Sequence, residues 1–558
     1  MVRSSVIATA ALCLLALLGG GSANAAPAPE TGSWTPHPVA GFSGEMEADQ
    51  PKMVGSATGA LTAAWFGSLP EPFMLGGNVI VTSYDGASWS CPIALHGTTP
   101  PLNGVPPALD VGADGTVAVA GDGWMSDTSG TAPEQDVVVF VRGPRQTSFT
   151  SAGTGQGFPV RDDVVIATSS VRTVAVWVSG DNVVGAEVLP GATTATPVVL
   201  ATGESLAFAK VRMDARGNAA VVYRSGAGIN AVQQNWLIWP AAGTPSSSQA
   251  FAVTAPDDFV EPKAFSVSAG GRMVIAMYDG ASGDKTNEIA VFVGATTTGF
   301  VTRSTLLSGD PLPATDFGTA VDDEGHATVA FRMDDVGSSE AKAWIYGIDP
   351  VTGKSTSSGS FTESGDTGIA IFKVLQQGAT GFVSWTDSNF NALGPGGVVS
   401  YTGGVVTQEM RTSESDWIGL ASGPRGPAAY WPRQSLPDDW SGTFTTTLPH
   451  KPLKAKLTNT KVTVSKRSGA ITVTGKVTPA PAAKACAGAP VAVQVVNPDP
   501  YQPSSAMTTL VVAADGGYTW RERKSELKGC TSARVSTYLQ TPDGPKPVVT
   551  TKKVRCSP

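Results

Sequence analysis

Short apolar runs and tight turns alternate along most of the chain, and their spacing organises it. Eight runs of small and β-branched residues each begin at a turn and mostly end on an aromatic or alanine: 59–65, 115–120, 172–177, 217–223, 271–278, 325–331, 378–385 and 426–431. Their starts are 56, 57, 45, 54, 54, 53 and 48 residues apart, too long for paired-helix repeats and right for small sheets. Runs such as Thr173-Val174-Ala175-Val176-Trp177 are apolar on both faces, as a strand needs when its sheet is covered on both sides. A further short apolar stretch precedes each turn, as at 210–213 and 265–268, and one or two follow, as at 288–293, which predicts four strands per unit. Asp114-Gly115, Arg216-Gly217 and Glu324-Gly325 supply the turn between the first two strands.

Sheets repeated in this way and covered on both sides stack into a closed ring, so the pattern predicts an all-β chain with a β-propeller over 32–448. The count is eight blades, with seven as the alternative. The eighth unit runs out after its third strand, near 441–448. The N-terminal text Gly32-Ser33-Trp34-Thr35-Pro36 is similar to the outer-strand text Ala87-Ser88-Trp89-Ser90-Cys91-Pro92, and is expected to supply the missing strand. The repeated turn-plus-aromatic text resembles secreted propellers of the sialidase-like superfold, and the N-terminal apolar run with Ala/Gly/Thr-rich composition resembles an actinobacterial exported protein. Thr82-Ser83-Tyr84-Asp85-Gly86-Ala87-Ser88-Trp89 resembles the Asp-box hairpin of sialidases, with its aspartate directly before the glycine. The Arg-Ile-Pro text of that family is absent, so the resemblance implies a fold and not the sialidase reaction.

Composition changes after a linker at 449–455. From 451 to 558 there are 17 Lys+Arg and 5 Asp+Glu, a net of +12; the chain totals of 38 and 46 leave 21 and 41 before it, a net of −20. Alternating runs over 456–558 predict a seven-strand β-sandwich that resembles immunoglobulin-like or prealbumin-like modules. Its basicity fits an anionic cell-wall polymer; nucleic acid is not expected, because aromatics are not interleaved with the charges.

The segment 1–25 reads as a signal peptide: Arg3, an apolar run over 6–18, then Ala23-Asn24-Ala25. No second apolar stretch of membrane length follows, so a secreted, extracellular protein without a membrane span is expected. In that compartment Cys91, Cys486, Cys530 and Cys556 are expected to form disulfides. A Cys486–Cys530 bridge is favoured, because each residue precedes a strand-like run of the small domain, with a bridge to Cys556 as the fallback. None has the paired spacing of a zinc site.

Chemistry is sparse. The four histidines, His37, His96, His326 and His450, are scattered, and neither a G-x-S-x-G elbow nor a phosphate-binding glycine loop is present. One recurrence stands out: Asp49, Asp163, Glu204, Asp258, Asp316, Asp366 and Asp416 precede the first strand of seven units. They read either as turn caps or as an acidic funnel at the channel mouth, for which calcium is the candidate cation. Long loops on the same face carry Phe73, Trp124 and Phe390, side chains suited to stacking on sugar rings. The leading expectation is a non-catalytic binding protein presenting this face to an extracellular glycan or protein. The alternative is a glycoside hydrolase or lyase that uses carboxylates at the mouth.

Overall fold

A computed structural model describes residues 34–43, 52–56, 61–67, 78–95, 107–122, 136–144, 146–161, 163–226, 232–251, 264–279, 287–309, 314–334, 340–364, 369–387, 394–415, 418–423, 426–435, 439–498, 504–542 and 547–557. The fold is all-β; the one helix among these residues is the six-residue Ala480–Ala485.

Among the described residues, eight four-stranded antiparallel sheets follow the repeat. They are numbered here by their first strands: Lys52–Gly55, Ala108–Val111, Val165–Thr168, Ala207–Met213, Phe265–Val267, Ala314–Val321, Ile369–Gln377 and Gly419–Gly423. Sheets 1 to 7 are simple meanders of consecutive strands. Sheet 8 contains Gly419–Gly423, Gly426–Ser435 and Asp439–Thr446, and takes its fourth strand from the other end of the chain. That strand, His37–Ser43, pairs with Asp439–Thr446 in the register His37↔Thr446 and Val39↔Phe444. The turns behave as their sequence requires: Gly115 and Gly325 have φ of 90° and 101°, a region closed to most side chains.

The first strands of sheets 1 to 8 touch one another in cyclic order, and that of sheet 8 touches that of sheet 1. They are thus the inner ring, and the fourth strands lie outermost. Small residues permit the close stacking. A Cβ on Gly55 would stand 1.8 Å from the Ser422 carbonyl oxygen, so sheets 8 and 1 meet almost backbone to backbone. Around this seam Met53, Leu61, Trp65 and Ile80 share one core with Ala421, Ala428, Tyr430 and Phe444. Polar bonds join other neighbours. Arg142 Nη2 donates to Ser83 Oγ across sheets 2 and 1 (2.7 Å), and Thr328 Oγ1 donates to Gln376 Oε1 across sheets 6 and 7 (2.6 Å). The buried Arg172 of sheet 3 reaches into sheet 4, with Nε on the Gly217 carbonyl (2.8 Å) and Nη2 on the Trp239 carbonyl (2.7 Å).

The basic C-terminal segment forms a three-stranded sheet (Lys456–Val464, Ile471–Thr478, Gly517–Glu522) and a four-stranded one (Ser504–Val511, Pro490–Asn497, Ser532–Leu539, Val548–Arg555). Both line one core that includes Val473, Val493, Trp520 and Val535. The chain from Trp34 to Pro558 is one compact unit.

The disulfides correct the expected Cys486–Cys530 pairing. Cys486 is bonded to Cys91, and Cys530 to Cys556. Pairing follows register and docking instead of proximity in sequence. Ser532 lies opposite Arg555, which brings the flanking Cys530 and Cys556 to the same end of one strand pair. Cys486 caps the short helix where that helix meets sheet 1: the Cys91 amide donates to the Ala485 carbonyl at 3.0 Å.

Candidate functional site

Alternation on the first strands decides what faces the interior of the ring. Met53, Leu109, Val211 and Val374 are buried in the packing between sheets, while their neighbours Lys52, Asp110 and Arg212 are half-buried and Lys373 retains more solvent contact. These four charged residues belong to sheets 1, 2, 4 and 7. The Lys52 ammonium senses Arg212, Lys373, Asp110 and Lys210, and Lys373 senses Arg212 and Asp110. Groups on sheets so far apart in the cycle can couple in this way only across the lumen.

Among the described residues the lumen cluster therefore brings four cations, Lys52, Lys210, Arg212 and Lys373, together with the carboxylate of Asp110. Its pKa values follow from enclosure. Desolvation, reinforced by the neighbouring cations Arg212 and Lys373, lowers Lys52 from 10.5 to about 7. Desolvation and then Arg212 lower Lys373 to about 8. Lys373 is exposed to solvent, which limits how strongly desolvation acts on it. Asp110 is raised by desolvation, against the pull of Arg212 and of the Thr168 amide, which donates to its Oδ2 at 2.7 Å. Near neutral pH the site thus holds an amine, Lys52, that exchanges its proton readily.

The acids singled out from the sequence are not gathered by any contact described here. Asp163 and Glu204 are exposed, and Asp316 is half-buried with its Oδ2 3.9 Å from Arg332 Nη1 of its own sheet. Asp49, Asp258, Asp366 and Asp416 lie outside the described residues, as do Phe73, Trp124 and Phe390. Among the described residues one group has metal-ligating composition: donor atoms of Asp322, Glu324 and His326 lie within 4.8 Å of one another. Asp322 Oδ1 there accepts the amides of Gly325 and His326 at 2.9 and 2.8 Å, the ordinary work of a turn aspartate.

Sequence reasoning missed the lumen cluster although its signal was present. A lone lysine opens the strand Lys52–Gly55 and another interrupts Ile369–Gln377, and Lys210 and Arg212 alternate with Val211 in Ala207–Met213. A charge inside an otherwise apolar inner strand has only the lumen to face.

No family model matches the sequence, and no curated protein matches it either. Among solved structures, one titled a new family of polysaccharide lyase, PL25 ulvan lyase, aligns at 11% identity over 68% of this chain and 98% of its own, with a TM-score of 0.39. A subtype N11 neuraminidase-like protein of A/flat-faced bat/Peru/033/2010 aligns at 9% identity over 73% and 96%, TM-score 0.34. A thermostable family-43 glycoside hydrolase aligns at 12% over 44% and 89%, TM-score 0.25. The leading expectation of a non-catalytic binder is not met among these structures, two of which are titled a polysaccharide lyase and a glycoside hydrolase; at such identities the likeness extends to the fold alone.

Proposed function

We propose that this chain is a secreted carbohydrate-active protein, an eight-bladed propeller carrying an immunoglobulin-like module, and that it cleaves an acidic polysaccharide by β-elimination. The observation that carries the reading is the lumen cluster, in which cations from sheets 1, 4 and 7 are electrostatically coupled to one another and to the Asp110 carboxylate. Hydrolysis with two carboxylates needs a second acid about 5–10 Å from the first, and among the described residues Asp110 is the acid coupled to Lys52 and Lys373. Elimination from a uronate needs a base for the proton α to the sugar carboxylate and a cation to hold the resulting carbanion charge. Lys52, with its amine near neutrality, suits the first role, and Arg212 and Lys373 suit the second. The proton passes to the Lys52 amine, the electron pair forms the C4–C5 double bond, and the C4–O bond breaks. The departing oxygen takes a proton from the Lys52 ammonium, so the reaction needs no other reactant.

The test is incubation of the purified protein with polygalacturonate and alginate, followed by the ultraviolet absorbance of the unsaturated sugar. Lys52→Met is expected to lower that rate about 100-fold or more. New reducing ends without the ultraviolet band would replace elimination with hydrolysis, and no cleavage of any acidic polysaccharide would overturn the reading.

A further inference from the structure

Two loops and the C-terminus of the basic segment are tied into one end. The Lys466 amide donates to the Ser557 carbonyl at 2.6 Å, and the Gly529 amide donates to the Lys466 carbonyl at 2.8 Å. Ser525 Oγ donates to the Gly469 carbonyl at 2.7 Å, and the Cys530–Cys556 disulfide closes the same end. This framework presents Lys466, Arg467, Arg523, Lys524, Lys528 and Arg555, all exposed. Among the described residues no carboxylate is ion-paired with any of the six, although Glu522 and Glu526 lie in the same loops. Six cations against two acids give this end +4, in a chain whose first 450 residues carry −20.

Unpaired like charges held together on a braced frame repel one another unless a polyanion is bound. The chemistry of the end narrows which polyanion. Its nearby aromatics, Tyr518 and Trp520, are buried, so no ring is offered for base stacking. Leu527, the apolar side chain of the second loop, is fully buried, so nothing is offered for insertion among lipid tails. What remains is attraction for a hydrated chain of regularly spaced negative charges.

We infer that this basic end is a second binding site for an acidic polysaccharide, separate from the lumen, that retains the polymer while the lumen acts on it. The choice of polysaccharide as occupant rests on the proposed function. The Cys91–Cys486 bond ties the module to sheet 1, so a polymer held at the basic end stays at a raised effective concentration around the same molecule.

The experiment measures retention of the full-length protein on alginate beads over a salt series, with dextran beads and DNA-cellulose as comparisons, for the native chain, a Lys466→Ser/Arg467→Ser/Lys528→Ser variant and Lys52→Met. All three replaced side chains are exposed, and circular dichroism confirms that the variant folds. The native chain is expected to bind alginate and be released as salt rises, and the triple variant to bind about tenfold more weakly, with Lys52→Met unchanged. Turnover of a short uronate oligomer should be the same in the triple variant as in the native chain, while KM for long polymer rises. Undiminished retention of the triple variant, salt-insensitive retention, loss of retention in Lys52→Met, or equal retention on DNA-cellulose would each overturn the inference. If no uronate is cleaved but retention depends on the three cations, the lyase reading falls and the binding site stands.

Discussion

Replacing Lys52 by methionine tests the lumen directly, because it removes a charge that the fold holds at a cost. The sign follows from proton counting. The unfolded chain keeps Lys52 protonated up to about pH 10.5, whereas the folded chain releases the proton near pH 7, so between these values the unfolded state binds more protons and stability rises with pH. Below pH 7 the full penalty is present in the folded protein. At about 1.36 kcal/mol per pH unit, the fall from 10.5 to about 7 corresponds to about 5 kcal/mol for a site closed to solvent. Contact with lumen water reduces this to about half, ~2 kcal/mol. Lys52→Met should therefore be more stable than the native chain by ~2 kcal/mol at pH 6, and that advantage should be smaller at pH 9. Urea unfolding followed by tryptophan fluorescence at the two pH values measures both numbers. A difference that stays constant from pH 6 to pH 9, or grows, would mean that Lys52 titrates as an ordinary surface lysine and that the cluster is not enclosed.

Two further substitutions probe the ring that encloses the cluster. Arg172→Met strips the bonds to the Gly217 and Trp239 carbonyls and to Glu187 Oε1 (3.0 Å), and should cost about 3–5 kcal/mol in urea unfolding; a cost below about 1 kcal/mol would refute the bridge between sheets 3 and 4. Gly55→Ala places a methyl group where the Ser422 carbonyl already lies, and should lower stability by about 2–3 kcal/mol, with faster hydrogen exchange in His37–Ser43; unchanged exchange there would show that the ring does not close at this seam.

How much of this was legible in the sequence depends on the range of the forces involved. Turn chemistry is local, so Gly115, Gly217, Gly271 and Gly325 could be read directly, and all four adopt positive φ. Periodicity is nearly as local: Trp65, Trp177 and Trp385, which end three of the apolar runs, are fully buried between sheets. The N-terminal strand was legible in part: the text 32–36 is similar to 87–92, and each stretch directly precedes an outer strand, His37–Ser43 and Ile93–Leu95, instead of forming it. The cysteine pairing was not, since Cys91 and Cys486 lie 395 residues apart and meet only through docking of the small module on sheet 1. The lumen cluster failed for the same reason. Lys52 and Lys373 are more than 300 residues apart, and nothing near either one reports the other. The acids attracted notice because they recur, yet recurrence at one position of every unit is what a repeated turn would also produce.

Position within the ring separates structure from function more sharply than recurrence does. A residue that serves the repeat should recur in every blade, whereas a residue that serves one ligand need occur only where the ligand touches. Lys52 and Lys210 each stand three residues before the last paired position of their first strands, Gly55 and Met213. The same position in sheets 6, 7 and 8 is Gly318, Val374 and Leu420. The lumen charges thus break the symmetry of the repeat, and they do so in a place where desolvation disfavours the charged forms of Lys52 and Lys373. Packing does not call for them, since a methionine at position 52 would be tolerated there at no electrostatic cost. A costly, non-repeating set of charges facing a shared interior is what a site for an anionic ligand requires. That asymmetry makes the Lys52→Met variant informative in both directions, because the substitution that raises stability at pH 6 is the one expected to abolish elimination.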